Sequence, residues 1–176
     1  MDAAMLTDGV VRLRAVRLPQ DIEAALLWYQ DPEVLRWSQT DRATPMSRER
    51  VEKMYAYLAA HGEFYMIEVV EDGGFRPIGD VGMQPDTLPI VIGDRGWWGR
   101  GIGTRVLRLL IVRARQLGWP SLQAKYIHHD NERSRRLFRR LGFQLVETGT
   151  DKHGQPFERY RLDLIRETSD GKPSPD

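Results

Sequence analysis

The sequence predicts an α/β fold in which a mixed, mostly antiparallel central sheet is flanked by helices, and three observations carry that prediction. Stretches that alternate apolar and polar residues open the chain and fill its middle, the period of half-buried strands. Other stretches repeat apolar residues at helical spacing. Between the two kinds, an apolar run ending at Gly93 passes through a glycine-rich turn straight into a long amphipathic helix. A chain of 176 residues, 41% hydrophobic and 29% charged, suits one domain with a buried core.

Val10 to Val16 alternates, with Val11, Leu13 and Ala15 on one side and Arg12 and Arg14 on the other, and reads as the first strand. Gln20 to Tyr29 reads as a helix with Ile22, Leu26 and Tyr29, or Ala25 and Trp28, inward. Asp31-Pro32-Glu33 then supplies a cap, a proline at the first helical position and an early acid for a short helix through Trp37. Ser38 to Pro45 is a polar loop, and Ser47 caps a helix that turns Val51, Met54, Tyr55 and Leu58 inward and ends near Gly62. Glu63 to Val70, Pro77 to Gln84 and Leu88 to Gly93 form a three-strand meander, the first two joined at Asp72-Gly73-Gly74. The long helix stops at Gly118 and Pro120, and Leu122 to His128 is a strand. Asp130-Asn131 opens a helix that Gly142 closes, and Phe143 to Thr148 and Phe157 to Leu164 make a last hairpin. The domain is expected over residues 1–166, with a disordered polar tail over 167–176.

Composition narrows the function. A formal charge of +1 argues against coating nucleic acid, and zero cysteines exclude disulfides, thiolate metal sites and cysteine nucleophiles. Met1 to Asp8 lacks the apolar core of a secretory signal and no stretch reads as a membrane span, so a cytoplasmic protein is expected.

The glycine turn, Gly93 to Thr104, is the strongest chemical signal. Free N–H groups at a helix start attract anions, and glycines before it let a phosphate approach the main chain. It is not a P-loop, which ends in Gly-Lys-Ser/Thr where this chain has Gly103-Thr104-Arg105. Nor is it the Rossmann turn, which lies in a parallel βαβ unit.

The glycines at 99, 101 and 103, followed later by Asn131-Glu132-Arg133-Ser134-Arg135-Arg136-Leu137-Phe138 and by Gly142-Phe143, resemble the paired motifs of the GNAT acyltransferases. The resemblance covers about residues 10 to 164. It implies the GNAT acyl-CoA N-acyltransferase fold and acetyl-CoA as cosubstrate; no metal is expected, because the histidine pair has no further metal-type cluster beside it. Asp31-Pro32-Glu33-Val34 and Trp98-Gly99-Arg100-Gly101 look like the subgroup holding ribosomal-protein N-terminal and aminoglycoside 6'-acetyltransferases. Carried over by position, the backbone of Val91, Ile92 and Gly93 would pair with the pantetheine arm. The amides of Trp98, Gly99, Arg100, Gly101, Ile102, Gly103 and Thr104 would form the pyrophosphate loop, and Asn131, with Ser134 and Phe138 of its motif, would complete the cosubstrate side. Arg100, or an arginine between 133 and 140, would meet the 3'-phosphate. The sequence departs from the family's pattern at Trp98, usually Gln or Arg, and at Phe138, where many members place a thiolate-protonating tyrosine. A glutamate that some members carry five residues before the asparagine is Tyr126 here.

An amine attacks a thioester as the free base, so a proton acceptor is sought. Asp80 is the first candidate: a tight hairpin around Gln84 to Thr87 sets it opposite Val91. It reads equally as a polar residue at a sheet rim. Asp86 is second, and Tyr126 and His128, on one side of their strand, are candidates to relay or donate a proton. Trp97 and Trp98 either pack against the sheet or wall the groove, while Trp28, Tyr29, Trp37 and Tyr55, from the two early helices that line the acceptor side in the family the chain resembles, read as core ahead of substrate contact.

The expected function is acetyl transfer to a primary amine of a small molecule, such as an aminoglycoside-like antibiotic or polyamine, or of a protein N-terminus. The acids Asp31, Glu33 and Asp41 would attract a cationic acceptor. A non-catalytic acyl-CoA-binding module and an arginine-helix nucleic-acid binder are the alternatives. The assembly is expected to be a monomer, or a homodimer through the edge after Phe157.

Overall fold

The computed structural model describes residues 4–38 and 44–165. Most of the loop expected from Ser38 to Pro45, the acid at Asp41 and the tail 167–176 therefore lie outside the described residues. Among those described, no helix is long and apolar enough to cross a membrane.

The chain opens with β1 (Leu6–Thr7) and β2 (Val11–Ala15), joined through Asp8, whose Oδ1 accepts from the N–H groups of Val10 (2.9 Å) and Val11 (2.8 Å). Three helices follow: α1 (Ile22–Trp28), α2 (Pro32–Ser38) and α3 (Arg48–His61). Proline at the first position of α2 and a Ser47 Oγ that accepts from the Arg50 N–H satisfy the local rules for helix starts. Val51 and Tyr55 of α3 are buried as its period requires, and α1 buries Ile22, Ala25 and Trp28 with Tyr29 after it.

The meander comprises β3 (Glu63–Glu71), β4 (Gly74–Met83) and β5 (Ile90–Ile92). Asp72 and Gly73, both at positive φ, form the two-residue turn that matches strand twist, with Glu71 opposite Gly74. Strands β1 to β5 make one antiparallel sheet in chain order. A single 3-10 turn, Arg95–Trp97, leads to α4 (Ile102–Gln116), whose apolar stripe of Ile102, Val106, Leu110 and Ala114 is buried. The second sheet has the order β6 (Ser121–His128), β8 (Pro156–Asp163), β7 (Gln144–Thr150), with α5 (Glu132–Arg140) between β6 and β7 in the chain. Every ladder among the described residues is antiparallel, and β5 and β6 share none.

Two cores result. On one face of the first sheet, Val11, Leu13, Ile67, Val81 and α4 pack with Leu122, Ala124 and Tyr160 of the second sheet. On the other face, Trp28, Tyr29, Val34, Tyr55 and Met66 form the core under α1 to α3. Because α4 packs against both β5 and β6, it holds the two sheets side by side, and a slot lies along the free edge of β5.

Candidate functional site

The slot is a cavity of about 570 Å³. One wall is β5 and the start of α4, the other is one face of α5 with the Asp130-Asn131 turn before it, and Val34, Trp37 and Ser38 of α2 close one side. Hydrogen bonds from the Gly82 N–H to the Pro89 carbonyl and from the Gly93 N–H to the Ile78 carbonyl set the phase of β5. Residues 89, 91 and 93 therefore spend their main-chain groups on β4, and those of Ile90 and Ile92 face the slot. This corrects the expected edge of Val91, Ile92 and Gly93: only the middle residue presents its backbone there. Gly93 serves packing instead, since a Cβ would lie 2.0 Å from Trp28 Cγ.

At the head of α4, Gly99 (φ 72°) and Gly101 (φ 77°) take left-handed conformations that a side chain would strain. The first helical bond runs from the Arg105 N–H to the Gly101 carbonyl, so the N–H groups of Ile102, Gly103 and Thr104 have no acceptor in the helix. No acid sits in that first turn, and the helix dipole adds positive potential. Gly103 also has a packing reason: its Cβ would lie 2.9 Å from Leu137 Cδ2, so α4 and α5 approach closely there.

The remaining expected residues divide. Trp98 walls the slot, donates Nε1–H to the Ile92 carbonyl at 2.7 Å and carries the Arg133 guanidinium 4.6 Å above its ring. Asn131 and Ser134 line the cavity, and Asn131 is also the cap of α5, with Oδ1 accepting from the Ser134 N–H and Nδ2 directed at the Trp37 carbonyl (3.4 Å). Phe138 is buried below the wall, edge-on to Phe143, and Arg100 lies outside over Trp97. Sequence reasoning missed Ile90 and Leu137 and left open which arginine between 133 and 140 is placed to reach the ligand; Arg133, Arg136 and Arg140 line the slot, and Arg100 does not. The spacing i, i+3, i+4, i+7 was the available signal. Arg136 is paired with Glu132, whereas Arg133 and Arg140 form no ion pair among the described residues.

Helix α5 is held to β8 by Glu158. Burial opposes ionisation of this carboxylate, but hydrogen bonds from Tyr160, Arg135 and His129 outweigh it and hold its pKa below the usual range.

Asp80 lies opposite Val91, the register of the tight hairpin, and is 2% exposed. Its carboxylate does not line the cavity. It accepts from Tyr55 Oη at 2.6 Å and from Tyr29 Oη at 3.0 and 3.1 Å. Burial pushes its pKa up to about 7, against the two hydrogen bonds, which favour the charged form. Tyr126 sits at a bulge of β6, between Ala124 and Ile127, at φ 52°. Its exposed ring is edge-on to Phe157, and it too lies off the cavity wall; His128 is buried. Asp86 is paired with Lys125 of β6, which lowers its pKa and ties the β4–β5 turn to the second sheet.

A three-layered α/β chain with an open strand edge facing a glycine-lined helix start is the architecture of an acyl-CoA-dependent acyltransferase. The comparisons with known proteins specify it. A model of the acetyltransferase (GNAT) domain matches residues 11–144, and the chain belongs to that family; it is an acetyl-CoA-dependent N-acetyltransferase. No curated protein sequence matches it. Among solved structures, a domain from Methanocaldococcus jannaschii is 21% identical with a TM-score of 0.73, over 89% of this chain and 100% of that one. RimL, a ribosomal L7/L12 alpha-N-protein acetyltransferase in complex with coenzyme A, is 16% identical with a TM-score of 0.74, over 92% and 98%. The microcin C7 self-immunity acetyltransferase MccE, in complex with acetyl-CoA and AMP, is 17% identical with a TM-score of 0.72, over 90% and 98%. At these identities the likeness is one of fold. Among the described residues no group of three or more His, Cys, Asp or Glu is placed to hold a metal ion.

Proposed function

We propose that the protein acetylates a primary amine carried by a small molecule or by a protein N-terminus. The slot between β5 and α5, with the N–H groups at the start of α4 at one end, is the observation that carries this reading. Those N–H groups would hold the pyrophosphate of acetyl-CoA, with Gly99 and Gly101 giving access and Arg133 or Arg140 available to a further phosphate. The outward N–H groups of Ile90 and Ile92 would bond the pantetheine arm and the thioester oxygen, on which negative charge develops. Asn131 and Ser134 would face the arm from the opposite wall, over Phe138. The amine nitrogen forms its bond to the acetyl carbon, the carbon–sulfur pair leaves with the CoA sulfur, and the nitrogen's proton passes to Asp80 through water. Phe138 has no hydroxyl to return a proton to the sulfur, and Tyr126, off the cavity wall, would do so only through water.

The names of the structural neighbours support both kinds of acceptor, since RimL is described as acting on a protein α-amino group and MccE as conferring self-immunity to microcin C7. The test is incubation with acetyl-CoA and a panel of aminoglycosides, polyamines and peptides, following free thiol and identifying products by mass spectrometry. Thiol release that depends on one class of amine names the acceptor. Acetyl-CoA binding with no thiol released by any amine overturns the reading in favour of a binding module.

A further inference from the structure

Tyr29 and Tyr55 read as core in the sequence, yet both hydroxyls converge on one carboxylate. They come from different places, the end of α1 and the middle of α3, and meet Asp80 on the acceptor-side face of the first sheet. The rings lie 6.5 Å apart at 88°, so each fixes the other's approach. We propose that Tyr29 and Tyr55 are positioning residues that hold the Asp80 carboxylate aimed and ionisable for the proton it takes from the acceptor amine. This rests on Asp80 being the base.

The geometry suits a group that changes protonation state while buried. An ionised carboxylate accepts from Tyr29 at Oδ1 and from Tyr55 at Oδ2, so neither oxygen is left unpaired. Once protonated on Oδ1, it can donate to Tyr29 Oη, which lies 3.1 Å from that atom, while Tyr55 continues to donate to Oδ2 at 2.6 Å. The network is satisfied in both states. A buried carboxyl partnered only by apolar groups would stay neutral at physiological pH, and one bound by an arginine would stay charged. Its ladder neighbours, Met66 on β3 and Val91 on β5, carry no charge. A further charge, Asp21, acts on the Tyr55 hydroxyl through space and is itself bound by Arg14.

The test compares wild type with Y29F, Y55F and D80N, using an acceptor found in the amine screen. Tyrosine to phenylalanine keeps the ring packing and removes only the hydroxyl, and unchanged acetyl-CoA affinity verifies that each variant is folded. The acid limb of kcat/KM should move to higher pH by about one unit in Y55F, because a hydrogen bond to the charged form is lost. Y29F should move it in the same direction, with the rate at high pH retained in both. Since the amine's own ionisation is common to all variants, the difference belongs to the enzyme. A second readout is the 13C signal of the Asp80 carboxyl, assigned by its absence in D80N, which should titrate about one unit higher in Y55F. An unmoved limb, or an unmoved carboxyl titration, in folded Y55F overturns the proposal. Full activity of D80N across the pH range instead removes Asp80 as the base, and so separates failure of the function's mechanism from failure of the tyrosine pair.

Discussion

Gly93 and Gly101 sit eight positions apart and need to be glycine for opposite reasons. At Gly93 the reason is space: a Cβ would fall 2.0 Å from Trp28 Cγ, a ring held in the core. Gly93→Ala should therefore destabilise the fold by about 1–3 kcal/mol through overpacking, as a denaturant titration would show. At Gly101 nothing lies within 4 Å of a Cβ, but φ is 77°. Alanine there should cost about 1 kcal/mol from backbone strain, whereas Gly101→Glu should abolish acetyl-CoA binding by setting a negative charge beside the helix start. Retained affinity in a folded Gly101→Glu protein would contradict the placement of the pyrophosphate. Asp80 gives a third residue-scale prediction. Its pKa is raised by burial from 3.8 to about 7, so the folded state holds a proton that the unfolded chain has released between those values. The associated stability is fully present below pH 4 and lost as pH rises through 7. Unfolding free energies measured from pH 4 to 8 should fall in wild type and be flatter in Asp80→Asn.

Helix caps set the element scale. Ser47 and Asn131 are both side-chain caps, at α3 and α5, and replacing either by alanine should cost about 1 kcal/mol. Only Asn131→Ala should also raise the KM for acetyl-CoA, because Asn131 lines the slot and orients α5 against Trp37, while Ser47 is remote. An equal effect of both on KM would mean that global stability, not the wall, controls binding. Local patterns made these elements legible: the 3.6-residue period of α3 and α4, the asparagine that starts α5 and the Asp72-Gly73 turn between β3 and β4 are each written within a few residues. What could not be read this way depends on distant partners. The bulge at Tyr126 exists because β6 pairs with β8 across a helix and a strand. Which amides of β5 face the slot depends on its hydrogen-bond phase with β4, and an error of one residue reverses the answer. The hydroxyls on Asp80 come from 51 and 25 positions away.

At the scale of the molecule, the two sheets are joined by packing on α4 and by side-chain ties such as Asp86 to Lys125, not by a ladder. A ligand lying in the slot would touch both and so bind the native state alone. Acetyl-CoA at a hundred times its dissociation constant should stabilise the protein by about 2.7 kcal/mol, read as a rise in thermal midpoint. Desulfo-CoA should do nearly the same, because the grip proposed for the phosphates and the arm does not involve the acetyl group.

The slot's walls also make the protein its own optical sensor. Three of its five tryptophans, Trp37, Trp97 and Trp98, line the cavity, and the indole N–H of Trp98 is bonded to the strand edge proposed to meet the ligand. Intrinsic emission should change as acetyl-CoA enters, and Trp98→Phe should remove much of that signal. Donor binding and release would thereby be observable in stopped flow, without a label and before any acceptor is known.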